Sequence, residues 1–392
     1  MKLITEIEIE LTNILSYWEE NSVDAIYGGF VGKRDNDNRL IAASPKGSVL
    51  NARILWTFSA AYQHTNKSGH LLLAQRAFDY IKNNFYDIEY GGVYWLVDHQ
   101  GALLDTKKQI YALAFTIYGL TEYFKIAKDP DALQMAISLY NDIEKHAFDP
   151  IENGYFEAFS REWQEIGDLR LSEKDANEKK TMNTHLHILE AYTNLYRVWK
   201  NENLAGQISN LLFVFEKYMI DEDYHLNLFM NEKWQKSQHI ISYGHDIEAS
   251  WLMLEAAEVL GDKNLINKFT EIAIKMADAA AEGLDDDGSL RYEYNVSENH
   301  VIREKHWWVQ AEAMVGFLNA WQLTHDDKYK NYVESLWDFI KKYILDKKNG
   351  EWYWGRNENL SLMLDDDKLG IWKCPYHNSR ACLEIISRLR NI

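Results

Sequence analysis

The feature that most constrains this chain is a turn that keeps coming back. Glycine or histidine set among aromatics recurs at Tyr27-Gly28-Gly29-Phe30, Tyr90-Gly91-Gly92-Val93-Tyr94-Trp95, Asn153-Gly154-Tyr155-Phe156, Tyr224-His225-Leu226, Asp287-Gly288-Ser289-Leu290 and Asn349-Gly350-Glu351-Trp352-Tyr353-Trp354. The copies lie about 63 residues apart, with one longer step of about 71. Self-similarity at a fixed period marks a repeated supersecondary unit, here six copies of it. Each turn follows an amphipathic stretch, such as residues 72–84 or 264–281, with apolar residues at three-to-four spacing and charges between. Each is followed by a second, more apolar stretch beginning near Ser48, Lys108, Thr181, Ser242, Lys305 or Tyr376. Tyr111-Ala112-Leu113-Ala114-Phe115-Thr116-Ile117-Tyr118-Gly119-Leu120 shows its character: almost no polar face.

Helices that are apolar all round belong inside. The expected unit is therefore an outer amphipathic helix, a short β-hairpin and an inner buried helix. Six such units close into an all-α (α/α)6 barrel of one domain, residues 1–392, because each unit leaves an apolar face for its neighbour. An open solenoid is the alternative use of the same repeat. The third unit is longer, and its surplus falls in residues 160–180, which carry Arg161, Glu162, Trp163, Asp168, Arg170, Glu173 and Asp175. This segment is expected to be a loop over one barrel mouth.

Charge narrows the partners. A net charge of -18 argues against nucleic acid and anionic membrane, which attract basic patches, and leaves a neutral small molecule open. Cys374 and Cys382 are the only cysteines, too few for a secreted disulfide framework and without metal spacing, so a cytoplasmic, reduced setting is expected. The first residues lack a signal-peptide pattern, and no apolar run is long enough to span a membrane. No Gly-x4-Gly-Lys loop points to a nucleotide, and no cofactor is expected. The chain is expected to act as a monomer or homodimer.

If the inner helices run parallel, their first turns open at one end of the barrel and their residues converge on its axis. Arg53, Tyr111, Asn183 with His187, His245 with Glu248, Trp307 with Trp308, and His377 all lie in those first two turns. Trp251, Trp307, Trp308, Trp354 and Trp372 offer faces for stacking on a sugar, and Asn, Arg and Glu suit its hydroxyls. Taken singly, each histidine reads more readily as a satisfied core residue and each tryptophan as core. Their coincidence at one point of a repeat favours a site. Histidine exchanges protons near neutral pH, so two imidazoles on opposite sides of one carbon can remove a proton from one face and return it to the other. Glu248, one turn from His245, is expected to orient that ring, the plainer reading being a salt bridge to Arg53 or a lysine. Two other uses compete. A metal site would draw on His187, His245, Glu248 and His377, but the only close pair, His185 and His187, faces opposite ways on a helix, so no metal is expected. Glycoside hydrolysis would need two carboxylates from Glu248, Glu312 and Asp246 and would leave the histidines idle.

Four stretches resemble the N-acylglucosamine 2-epimerase superfamily, and within it the branch acting on cellobiose. They are Met182-Asn183-Thr184-His185-Leu186-His187-Ile188-Leu189-Glu190-Ala191-Tyr192-Thr193-Asn194-Leu195-Tyr196, Gly244-His245-Asp246-Ile247-Glu248-Ala249-Ser250-Trp251, His306-Trp307-Trp308-Val309-Gln310-Ala311-Glu312-Ala313 and Trp372-Lys373-Cys374-Pro375-Tyr376-His377-Asn378. The resemblance implies an (α/α)6 barrel and a cofactor-independent reaction at C2 of a reducing-end aldose. It implies His245 and His377 as the acid/base pair, Arg53, Tyr111, Asn183, His187 and Glu248 binding or polarising the sugar, and Trp308 and Trp372 lining it. Related members act on N-acetylglucosamine, isomerise mannose to fructose, or epimerise free mannose and glucose, and a mannose 2-epimerase shares these motifs. Residues 160–180 are expected to give the second ring of a disaccharide a stacking wall through Trp163, or else to form a lid.

Overall fold

The computed structural model describes residues 2–390, and the helices alternate between two rings. The outer ring holds α1 (Lys2–Asn21), α3 (Ser68–Tyr80), α5 (Pro130–His146), α7 (Glu202–Val214), α9 (Lys263–Ala281) and α11 (Asp327–Phe339). The inner ring holds α2 (Ser48–Thr65), α4 (Ile110–Ala127), α6 (Met182–Val198), α8 (Tyr243–Leu260), α10 (Trp307–Thr324) and α12 (Tyr376–Arg390). The inner helices start within two residues of where the apolar stretches begin. On α4 every residue from Ile110 to Tyr123 is buried, whereas on α9 burial is confined to one stripe, Phe269, Ala273, Met276, Ala277, Ala279 and Ala280. Burial all round against burial on one face is the physical distinction between the two rings.

Ring closure is settled by α12, which packs on α10 on one side and on α2 on the other. The architecture is the (α/α)6 barrel, not an open solenoid. Close approach within the ring is set by small residues. At Gly119 of α4 an added Cβ would lie 2.6 Å from the backbone oxygen of Ala52 on α2, so only glycine lets these two helices meet at this depth.

The inner helices are entered through short strands that pair antiparallel with the hairpin of the following unit. Lys46–Gly47 pairs with Leu96–Val97, Lys108–Gln109 with Ala158–Phe159, Lys180–Thr181 with Phe229–Met230, Ile240–Ser242 with Glu293–Asn295, and Lys305–His306 with Gly355–Arg356. This stitching holds the inner N-termini at one end of the barrel. A buried ion pair repeats behind it, unnoticed in the sequence: Lys46 with Asp24 at 2.7 Å, Lys108 with Asp87 and Lys180 with Asp149 at 2.8 Å each, then Lys305 with Asp285 and Lys368 with Asp346. Asp87 also accepts the backbone N–H groups of Glu89 and Tyr90 in its own turn, and Lys46, Lys108, Lys180 and Lys305 each tie a strand to the turn after an outer helix. The fourth unit departs, with Ile241 in place of the strand lysine, and in the sixth the lysine, Lys368, comes from the loop ahead of α12. Among the described residues no helix is long and apolar enough to cross a membrane.

Candidate active site

The stitched strands lead into five of the inner helices, and side chains from the first turns of all six gather at one mouth. Arg53 of α2 donates from Nη2 to the Tyr111 hydroxyl of α4 at 2.7 Å, and its Nη1 lies 3.7 Å from Cys374 Sγ. The Tyr111 ring meets His187 of α6 edge-on at 5.0 Å and Trp372 at 6.0 Å. His245 of α8 lies 4.7 Å from the Trp308 ring of α10, and Trp308 lies 5.8 Å from His377 of α12, so one indole stands beside both imidazoles. Asn183 Oδ1, Arg53 Nε and Trp307 Nε1 are buried without a hydrogen-bond partner, an unusual density of unmet polar atoms at one place.

Each imidazole is held by its Nδ1. His245 Nδ1 is 2.8 Å from Ser242 Oγ, His187 Nδ1 is 2.9 Å from Glu190 Oε2, and His377 Nδ1 is 2.7 Å from Glu312 Oε1. With Nδ1–H given to a carboxylate or hydroxyl oxygen, Nε2 is the nitrogen left to carry a lone pair or a second proton. Below the rings sits Arg380, one turn after His377. Its guanidinium contacts Glu190, Glu248 at 2.7 Å and Glu312 at 2.6 Å, and the Tyr376 hydroxyl. Glu248, Glu312 and His377 form a trio compact enough to share a cation, and the cation the fold supplies there is Arg380.

Burial dominates the electrostatics. It pushes the Glu248 carboxyl up to about 7, with neighbouring Glu312 adding to it against Arg380. Burial raises Glu312 as well, whereas at Glu190 it is outweighed by Arg380, His187 and Tyr376, which hold that carboxyl below its usual range. The His245 and His377 imidazoles are disfavoured as cations. Burial and the charge of His187 take His245 down to about 3, and burial with Arg53 and Arg380 takes His377 well below the ordinary value.

A family model described as N-acylglucosamine 2-epimerase matches residues 28–381, nearly the whole barrel. The chain belongs to the N-acylglucosamine 2-epimerase family. A cellobiose 2-epimerase from Bacteroides fragilis is 51% identical over 97% of this chain and 98% of that one, and one from Ruminococcus albus is 40% identical over 98% and 99%. The solved structure of cellobiose 2-epimerase from Bacillus thermoamylovorans superposes with a TM-score of 0.94 at 41% identity, covering 99% of both chains.

Against this family barrel, several side chains stand elsewhere than expected. Glu248 does not orient His245. Its carboxylate is drawn one turn deeper to Arg380 and lies 4.0 Å from His377 Nδ1, while His245 is held by Ser242. Asp246 turns away from the pocket to His225 Nδ1 at 2.7 Å and the Leu226 N–H. Trp251 is core, lying under Arg380, while Trp307 packs on Trp354 at 4.6 Å and lies 6.5 Å from His377, leaving Trp308 the more exposed member of its pair. His185 faces away from His187 as helix geometry requires, bonded to Thr181 O and to the Tyr155 N–H. Trp163 is no wall: it stacks on His146 of the outer ring at 4.2 Å and donates to Tyr90 O. The rest of the 160–180 segment does reach the mouth, where Gln109, just before α4, donates to Leu169 O and Arg170 O.

Sequence reasoning passed over Arg380, Glu190 and Ser242 as site residues, and took Glu312 only as a possible glycosidase carboxylate. A signal was present. Glu190, Glu248 and Arg380 each follow a mouth histidine by three positions on an inner helix, which places the pair on one face.

Proposed function

We propose that this family member inverts C2 of a reducing-end glucose unit, giving the mannose configuration, with cellobiose or a similar β-1,4-disaccharide as substrate. The whole barrel acts as the catalytic domain. The observation that carries the reading is the pair His245 and His377, each tethered at Nδ1 and flanking the Trp308 indole. The 51% identity to a cellobiose 2-epimerase supports the choice of substrate.

The pyranose must open first, because the C2 proton is acidic only beside a free C1 aldehyde. One neutral imidazole then takes that proton through Nε2, leaving a cis-enediolate. Its oxygen charge needs preorganised donors, and Arg53, Tyr111, Asn183 and His187 are the groups at hand. The other imidazole, protonated, delivers a proton to the opposite face. Glu248 and Glu312 are carboxylates beside His377, not a pair flanking a glycosidic oxygen. Trp308 and Trp372 supply apolar faces for the sugar rings.

Since one ring must start neutral and the other charged, rate against pH is a bell. Burial favours the neutral form of both rings, so the charged partner is the scarcer state. The test is proton NMR of glucose, mannose, cellobiose and N-acetylglucosamine incubated with the enzyme in heavy water. Loss of the C2 proton signal of cellobiose with growth of its epimer supports the reading. Exchange in none of the four refutes it, and exchange confined to mannose and glucose replaces the disaccharide with a free monosaccharide.

A further inference from the structure

We propose that Arg380 is a positioning residue of this reaction, holding Glu190, Glu248 and Glu312 as one array and through them fixing the His187 and His377 imidazoles. The inference rests on the 2-epimerase reading above. Arg380 lies one turn below His377 on α12 and is wholly buried. One nitrogen, Nη1, serves Glu190 and the Tyr376 hydroxyl, and the other, Nη2, serves Glu248 Oε1 and Glu312 Oε1. Those carboxylates are the ones that meet the imidazoles: Glu190 on His187 at 2.9 Å, Glu312 on His377 at 2.7 Å, and Glu248 4.0 Å from His377. A single guanidinium therefore joins α6, α8, α10 and α12.

Only arginine meets this geometry. Three carboxylates from three helices need several donors in one plane, which a guanidinium presents and an ammonium does not. The plane is itself clamped, with Trp251 4.9 Å and Tyr376 4.3 Å from the guanidinium carbon. Among the described residues no other cation is placed to do this. Arg53, which faces His377 from α2, is committed to Tyr111 and Cys374. Among the described residues, the other titratable groups beside His377 are Glu312 from α10, Glu248 and His245 from α8, His187 from α6, and Tyr376 on α12 itself. Arg380 is thus the cation that balances the three carboxylates beneath the rings, and because His377 stands between it and the mouth it acts through its neighbours, not on the sugar.

The sign of its effect follows from charge. Removing the cation leaves Glu248 and Glu312 uncompensated beside His377, so that ring should hold its proton to higher pH. Removing the anion in Glu312→Gln should do the reverse. The experiment is NMR titration of the isotope-labelled histidines, with His377 assigned through His377→Asn, run beside pH–rate profiles for cellobiose. Arg380→Met is expected to raise the His377 midpoint by at least about one pH unit, a tenfold gain in proton affinity, and to carry the rate optimum alkaline. Glu312→Gln is expected to move both the other way. Arg380→Lys, which keeps charge but not the fork, should hold the midpoint within about half a unit while lowering kcat more than it raises KM. A His377 midpoint unchanged in Arg380→Met, with only thermal stability lost, overturns the inference. If Arg380→Met does not fold, Arg380→Lys with wild-type kcat and profile overturns it instead. Failure of wild-type enzyme to exchange C2 of any aldose would sink the epimerase reading separately, since the titration needs no turnover.

Discussion

Ser242→Ala removes one oxygen from the mouth and tests whether the tether on His245 matters. Ser242 sits at the N-cap of α8, yet its side chain makes no capping bond to the backbone. Its Oγ is committed to His245 Nδ1 at 2.8 Å. The substitution should therefore leave the helix cap alone and lower stability by no more than this one buried hydrogen bond is worth, about 0.5–1.5 kcal/mol. What it removes is a neutral hydrogen bond that fixes ring orientation and tautomer, a net contribution of about 0.5–1.5 kcal/mol. If all of that is spent on presenting Nε2 to the sugar, and each ~1.36 kcal/mol is tenfold in rate, kcat falls about two- to twelve-fold. Initial rates of deuterium entry at C2 of saturating cellobiose, run beside thermal unfolding, measure both quantities. Ser242→Thr, which keeps the hydroxyl, should recover most of the rate. A rate equal to wild type would refute the tether. A loss beyond about 100-fold would refute it in the other direction, by putting the hydroxyl in the proton transfer itself.

Other substitutions probe the rest of the site. His245→Asn and His377→Asn should each cost about 100- to 10,000-fold in kcat with unfolding unchanged, and a tenth of the activity surviving in either would remove that residue from the acid/base pair. Because His245 is held down to about 3, its neutral form persists in acid, so if it is the base the acid limb of kcat/KM should lie well below the ordinary imidazole value of about 6.5; an acid limb at or above that value in a pH series contradicts the burial argument. Gly244→Ala would set a Cβ 2.7 Å from Trp308 Cη2 and 2.8 Å from Val309 Cγ2, so Trp308 must shift; KM should rise and stability fall by about 1–3 kcal/mol, and unchanged values of both would show that α8 and α10 are looser than this. Burial raises Glu157 to about 8, where it accepts from Thr181 and contacts Thr184, so the folded state holds a proton that the unfolded chain gives up near pH 4.5. This raised carboxyl makes stability fall as pH rises from about 4.5 to about 8. Glu157→Gln, whose amide can donate to Thr184, should flatten that fall in urea unfolding across the window, and parallel wild-type and variant curves would rule the contribution out.

The sequence determined the unit and its number. Apolar periodicity follows from which faces a helix must bury, a local property, so the two classes of helix and the turns between them were legible to within about two residues at the inner starts. Position within the repeat was enough to place Arg53, Tyr111, Asn183, His187, His245, Trp308 and His377 at one mouth, since equivalent positions in equivalent units meet when the units close. Tertiary structure alone decided closure, because nothing local distinguishes the last unit of a solenoid from one that packs α12 back on α2. It also decided partners. Glu248 was expected on His245, a neighbour in sequence, but Arg380 stands 132 residues away and draws the carboxylate deeper, since a buried carboxylate goes to the cation that best repays its desolvation. Trp163 was read as a sugar wall and is spent on His146, and Trp251 was read as a sugar face and is core, because residue type says that an aromatic will stack and only the fold says on what. The same reason hid the Lys–Asp pairs beneath the hairpins. Charges in a surface-like pattern read as solvated until the chain folds over them, and burial is a property of the closed ring that no single stretch contains.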